Sequence, residues 1–112
     1  DLARNRLVVS QGEDDALFSR SATGSELTWL AEHPPTAEGE PLDCQVRLRH
    51  RQPLQECRLR LSGGRAHMAF AIPQRAVTPG QSAVFYTGNR VVGGAFIADQ
   101  RGINQWIPKN DE

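Results

Sequence analysis

The sequence predicts an all-β fold, a small closed β-barrel of Greek-key type with about six strands, preceded by the remnant of another domain. Three observations predict it. Residues 42–61, L-D-C-Q-V-R-L-R-H-R-Q-P-L-Q-E-C-R-L-R-L, alternate apolar and basic side chains with a period of two on both sides of a polar turn. Ten glycines and seven prolines are scattered rather than repeated, which suits many short strands joined by turns. Helical periodicity is almost absent. At 112 residues and 38% apolar composition the chain can build one small core of that kind.

Taken in order, residues 5–10 read as a short strand and residues 11–15 as an acidic turn. The abrupt opening reads as a piece of a longer chain, and residues 1–24 are assigned to the remnant. Residues 17–19 form a possible second strand. Over residues 25–30 weak alternation brings in Leu27 and Trp29, and the barrel is expected to span 25–98. The prolines and Gly39 of H-P-P-T-A-E-G-E-P make residues 33–41 a connector.

The basic hairpin follows. Cys44, Val46 and Leu48, then Cys57, Leu59 and Leu61, belong to its apolar face; Arg47, Arg49, Arg51, Arg58 and Arg60 belong to the other. A turn is expected at Gln52-Pro53. Gly63-Gly64 turns the chain into a third strand with Ala66, Met68 and Phe70 inward. Residues 72–77 are expected to break that strand and cross over. Thr78-Pro79-Gly80-Gln81 has Pro and Gly where a type II turn wants them. Residues 82–87 and 90–97 form the last hairpin around Gly88-Asn89, with a bulge or sharp bend at Gly93-Gly94. Residues 99–112 are a polar tail anchored by Trp106 and Ile107.

The formal net charge of zero conceals a division. Residues 1–41 hold three arginines against eight acids, whereas residues 42–75 hold seven arginines against Asp43 and Glu56. Twelve of the thirteen cations are arginine, whose planar fork matches phosphate and can stack on a base. The basic face is therefore expected to gather on one wall of the barrel and to meet nucleic acid. No long apolar run or leader pattern is present, which points to a soluble cytoplasmic protein with no membrane partner.

Candidate chemistry is sparse. Ser62-Gly63-Gly64 lacks the following acid and Ser of a pyrophosphatase loop and leads into a strand, so it reads as a turn. His33, His50 and His67 have no metal-ligand spacing, and the cysteines lack a C-x-x-C partner. Cys44 and Cys57 read as free buried thiols, close across the hairpin without being bonded. No nucleophile, base and acid set emerges. His50 sits at the turn, either as a solvated imidazole or as a group that stacks on a base or touches phosphate. The Gln81 amide either caps the turn before it or reads a base edge or ribose, and spacing alone does not choose.

R-L-R-H-R-Q-P, followed by A-V-T-P-G-Q-S-A-V-F-Y-T-G-N-R-V-V-G-G-A-F-I, resembles the C-terminal end of the bacterial tRNA-specific 2-thiouridylases. D-L-A-R-N-R-L-V-V-S-Q-G and L-T-W-L resemble the stretch before it. The likeness runs from Asp1 to about Ile97. It implies a parent enzyme with an ATP-pyrophosphatase domain, a small central domain and a C-terminal β-barrel. That parent adenylates C2 of the wobble uridine of tRNA and delivers sulfur from a cysteine persulfide supplied by a sulfur-donor protein.

By the same resemblance the catalytic cysteines and the ATP loop lie outside this stretch, and Cys44 and Cys57 do not correspond to them. The family's tRNA-contacting Arg-aromatic pair in R-Y-R-Q falls on Arg49 and His50, and the Gln of T-P-G-Q on Gln81. His50 departs from the usual Tyr. Ala95 replaces the third Gly of the family's G-G-G run, with Gly94 as the second. The expected function is thus a tRNA-binding barrel with contacts at Arg47, Arg49, His50, Arg51 and Gln81, no catalytic residue and no cofactor of its own, ATP serving the parent. The alternative is a protein-interaction barrel whose arginine face docks an acidic partner domain.

Overall fold

The alternation over residues 42–61 resolves into two strands of a closed barrel. The computed structural model describes residues 18–102. These form β1 (Phe18–Trp29), β2 (Leu42–Arg47), β3 (Gln55–Ser62), β4 (Arg65–Arg75), β5 (Ser82–Thr87) and β6 (Arg90–Gly102). Neighbouring strands are antiparallel in the order β1-β4-β3-β2-β5-β6, and β6 closes on β1. Strands β2, β3 and β4 follow one another, while β5 returns to lie beside β2, which is the Greek-key arrangement. Among the described residues there is no helix, and none long and apolar enough to cross a membrane.

The inward faces match the two-residue period. Cys44, Val46 and Leu48 are buried with Cys57, Leu59 and Leu61, and Ala66, Met68 and Phe70 complete that side of the core. Ala83, Phe85, Ala95 and Ile97 close it from β5 and β6. Each fully buried Leu, Val, Met or Phe side chain contributes on the order of 1.5–3 kcal/mol, so this alternation supplies most of the driving force for closure. Cys44 and Cys57 are directly opposite in the β2–β3 register and both are free thiols. The contact with Cys44, together with burial, pushes the Cys57 thiol pKa up, and the same contact pulls the Cys44 thiol down.

Turn chemistry also agrees with expectation. Gly63 and Gly64 both have positive φ, at 60° and 77°, in the hairpin that pairs Ser62 with Arg65. Gly80 has φ 90° and the Gln81 amide donates to the Thr78 carbonyl at 3.2 Å, as a type II turn requires. The Gly93-Gly94 bend is a bulge. Phe85 pairs with Gly93 but Tyr86 pairs with Val91, which leaves Val92 as the extra residue. The Ala95 methyl points inward over Gly24, where an added Cβ would lie 2.8 Å from it.

Several expectations are corrected. The pieces at 17–19 and 25–30 belong to one strand, because β1 absorbs their misfit in register shifts at 19/21, 23/24 and 25/28. The third strand of the hairpin sheet does not break at Ile72. It continues to Arg75, pairing with β1 through Ser19↔Gln74 and Phe18↔Arg75. Pro73 is tolerated because it falls in the gap between Ser21↔Ala69 and Ser19↔Gln74, where no ladder hydrogen bond is asked of it. β1 runs through residue 24 without interruption and β6 runs on to Gly102, so the strand ends lie outside the expected 25–98 span. The strand expected at 5–10, the acidic turn at 11–15 and the anchors Trp106 and Ile107 lie outside the described residues.

Among the described residues, two non-glycine residues adopt left-handed backbone, Glu26 at the β1 bulge and Ala76 just after β4, with φ 54° and 57°. A left-handed L-residue costs about 1–2 kcal/mol, partly offset when glycine's greater unfolded-state freedom is counted. Ala76→Gly is therefore expected to raise the unfolding free energy by about 0.5–1 kcal/mol, read as a higher urea midpoint at unchanged m-value.

Candidate nucleic-acid interface

Strand β2 stops at Arg47 because its next backbone donor is captured by a side chain. The Leu48 amide donates to Gln52 Oε1 at 2.8 Å, and Arg47 Nε donates to the Gln52 carbonyl at 3.0 Å. The Gln52 amide in turn donates to the Arg49 carbonyl at 3.1 Å, closing a turn with His50 and Arg51 at its centre. Arg49 and Arg51 thus leave the strand face on which alternation placed them. They belong to a loop at 48–54 rather than to a tight turn at Gln52-Pro53. The reason is local: an exposed loop has no pleat, and the period of two ends with the ladder.

That loop is fastened to the far end of β4. Gln52 Nε2 donates to Gln74 Oε1 at 2.7 Å, and Gln74 Nε2 donates to Gln55 Oε1 at 3.1 Å and to the Ile72 carbonyl at 2.7 Å. Gln74 is 4% exposed, so its amide is committed to this network. Arg49 Nη2 donates to the Arg75 carbonyl and, at 3.3 Å, to the carbonyl of left-handed Ala76. His50 and Arg51 are left exposed at the tip, with no partner among the described residues.

Beside the loop lies a half-open groove of about 270 Å3 lined by Arg47, Leu48, Arg49, His50, Ser82, Val84 and Tyr86. It exists because the β2–β5 ladder is the shortest in the barrel, running from Gln45↔Tyr86 to Arg47↔Val84. Past that point β5 continues back to Ser82 while β2 turns away. The guanidinium carbon of Arg47 sits 5.3 Å from the centroid of the Tyr86 ring, a cation–π contact.

Of the five predicted contact residues, Arg47, Arg49 and His50 line the groove and Arg51 flanks it at the loop tip. Gln81 is not part of the lining. Its Oε1 accepts from the Thr78 amide at 3.2 Å, capping the turn, and its Nε2 has no partner among the described residues. Ser82, Val84 and Tyr86 were not predicted. Alternation along β5 puts them on the outer face, but only the sheet order places that face beside Arg47. Gln52 and Gln74, which hold the loop, carry no local signal at all.

The basic face does not gather on a single wall. Arg58 Nε lies 2.9 Å from Asp43 Oδ1, and the Arg58 hydrogen bond and charge hold the Asp43 carboxyl below its ordinary pKa. Glu56 stands opposite Gln45, whose Nε2 lies 3.3 Å from either carboxylate oxygen. These acids separate the loop arginines from Arg60 and Arg65 on the β3–β4 surface. Ser62-Gly63-Gly64 leads into β4 as a hairpin turn, the reading its sequence suggested.

The chain matches the family described as the aminomethyltransferase beta-barrel domain over residues 19–97. The chain belongs to that family. Among curated proteins the barrel domain is similar to tRNA-specific 2-thiouridylase MnmA of Methylococcus capsulatus, with 50% identity over 99 residues that cover 87% of the chain and 26% of that protein. The corresponding MnmA of Marinomonas sp. is 43% identical over 87% of the chain and 25% of that protein. MnmA of Pseudomonas putida is 41% identical over 97% of the chain and 28% of that protein. The chain thus spans about a quarter of the length of the curated relatives it matches. The resemblance read from R-L-R-H-R-Q-P and T-P-G-Q-S-A-V-F-Y is therefore to the proteins it pointed to, and the barrel it implied is the barrel observed.

Proposed function

We propose that this barrel is the tRNA-positioning domain of a tRNA-specific 2-thiouridylase, carrying no catalytic residue itself. The observation that carries the reading is the loop at 48–54. It is fastened by Gln52, Gln74 and Arg49, and it holds Arg49, His50 and Arg51 at the rim of a groove in a domain whose relatives are tRNA-specific enzymes. A fixed cluster of guanidinium groups positions a phosphate backbone without reading its sequence. Gln81, with one end of its amide holding the turn, has the other end available to RNA. ATP, the nucleophilic cysteine chemistry and the persulfide donor protein belong to the parent enzyme, which acts in the cytoplasm on the wobble uridine.

Titration of the full chain with tRNA at several salt concentrations tests this. Binding is expected to be weak, because a parent enzyme spreads its contacts over several domains, and to weaken steeply as salt rises. The slope of log K against log salt should fall by about 0.9 for each phosphate contact removed. Arg51→Ala, which removes the exposed guanidinium at the loop tip, is therefore expected to flatten it by about 0.9. Indifference to tRNA at low salt, with binding of an acidic protein domain instead, would overturn the reading in favour of a protein-docking barrel.

A further inference from the structure

We infer that the groove between the 48–54 loop and β5 receives one unpaired nucleobase, with the Arg47–Tyr86 pair as its stacking surface. The inference rests on the RNA-binding reading above and assigns a role to a residue, Tyr86, that reading does not use. Three features of the groove select this occupant.

First, the inner edges of its arginines are already used. Arg47 Nε donates to the Gln52 carbonyl, and Arg49 Nη2 donates to the carbonyls of Arg75 and Ala76. A carboxylate or a lone phosphate is held best by a free guanidinium fork. Here part of each fork is spent on backbone, which leaves the planar faces as the larger offering. Second, the Tyr86 ring and the Arg47 guanidinium lie together, and both are held from behind. Arg47 is fixed by Gln52 and by its ladder partner Val84, and Tyr86 pairs with Gln45 on one side and Val91 on the other. A flat surface on two paired strands is a rigid platform, and aromatic or guanidinium platforms stack any base.

Third, size and polarity fit a base rather than a side chain of a docking protein. At about 270 Å3 the groove falls just under the roughly 300–1,000 Å3 typical of pockets for whole small ligands, so it has room for one planar group. Val84 and Leu48 supply apolar surface, while Ser82, Arg49 and His50 supply polar groups to the same lining. A nucleotide has that distribution: an apolar face with a polar edge, and a charged phosphate attached to one side.

The sequence holds a single tyrosine, so a tyrosine-labelled full chain gives the ring signals of one residue in NMR. Addition of a short single-stranded oligoribonucleotide is expected to shift the Tyr86 ring resonances upfield by ring current, and a duplex of the same composition is expected not to. In parallel, Tyr86→Leu should weaken tRNA binding about fivefold or more while leaving the salt slope unchanged, because stacking releases no counterion. Tyr86→Phe should stay within about twofold of the parent chain. Thermal melting of each variant reports whether the barrel remains folded. An unshifted Tyr86 ring at saturating single strand overturns the inference, as does a salt slope that falls with Tyr86→Leu. A shifted ring in a chain that ignores folded tRNA would keep this site and remove the tRNA reading, so the two failures are distinct.

Discussion

Gly93→Ala is expected to lower the unfolding free energy by about 3 kcal/mol, the upper end of the usual range for overpacking. For a domain of this size that is a fall of roughly 12–24 °C in Tm, at about 4–8 °C for each kcal/mol. A Cβ on Gly93 would lie 2.3 Å from the Thr28 carbonyl oxygen and 2.3 Å from Cε3 of Trp29. Neither neighbour can yield cheaply. Thr28 is backbone of the β1–β6 ladder, and the Trp29 ring is stacked on Phe85 with centroids 6.0 Å apart. Phe85 is among the largest fully buried side chains, so displacing Trp29 disturbs the core itself. Gly64→Ala is the contrast. Its Cβ would meet nothing within 4 Å, and only the left-handed φ of 77° penalises it, by about 1–2 kcal/mol. Thermal and urea unfolding followed by far-UV circular dichroism would check both. A Gly93→Ala melt within a few degrees of the parent chain would mean that β1 and β6 separate more easily than their register implies.

Gln74→Leu is expected to cost about 2–3 kcal/mol and to loosen the 48–54 loop. The substitution fills the same space but strands three partners. Gln52 Nε2 loses its acceptor, and Gln55 Oε1 and the Ile72 carbonyl lose their donor. Buried groups left unpaired cost about 1–3 kcal/mol each when water cannot reach them, and partial solvation at the loop limits the sum. Hydrogen exchange separates the local from the global effect. The Leu48 and Gln52 amides, which donate within the loop, should exchange faster relative to the Leu59 amide in the middle of β3. If the loop contacts tRNA, affinity should fall with it, although Gln74 faces away from solvent. Unchanged protection of Leu48 would show that Arg49 alone fastens the loop through its bonds to the Arg75 and Ala76 carbonyls.

Much of this barrel was legible in the order of residues. The period of two from Cys44 to Phe70 identified the inward faces of β2, β3 and β4, and Gly63-Gly64, Thr78-Pro79-Gly80-Gln81 and Gly88-Asn89 marked the connections. Alternation is a property of the pleat and needs no knowledge of the neighbouring strand. The misread places are those where the pleat is interrupted. β1 carries three register shifts, so its own sequence alternates poorly and read as two pieces. Pro73 looked like a strand end because its missing donor matters only where a ladder bond is due. Arg49 and Arg51 were assigned to a strand face that ends at Arg47.

What the sequence by itself determined was the list of strands, which side of each faces inward, and that arginine dominates the outside. It also carried the family likeness through R-L-R-H-R-Q-P and T-P-G-Q-S-A-V-F-Y. Only the tertiary structure decided that β5 lies beside β2, that their ladder is short enough to leave a groove, and that Tyr86 meets Arg47 there. It also decided that Asp43 falls opposite Arg58 and splits the basic face, and that Gln74 anchors the loop from β4. The physical reason is that side-chain direction is local to one strand, whereas cross-strand register and the satisfaction of buried amides depend on partners brought together only when the barrel closes.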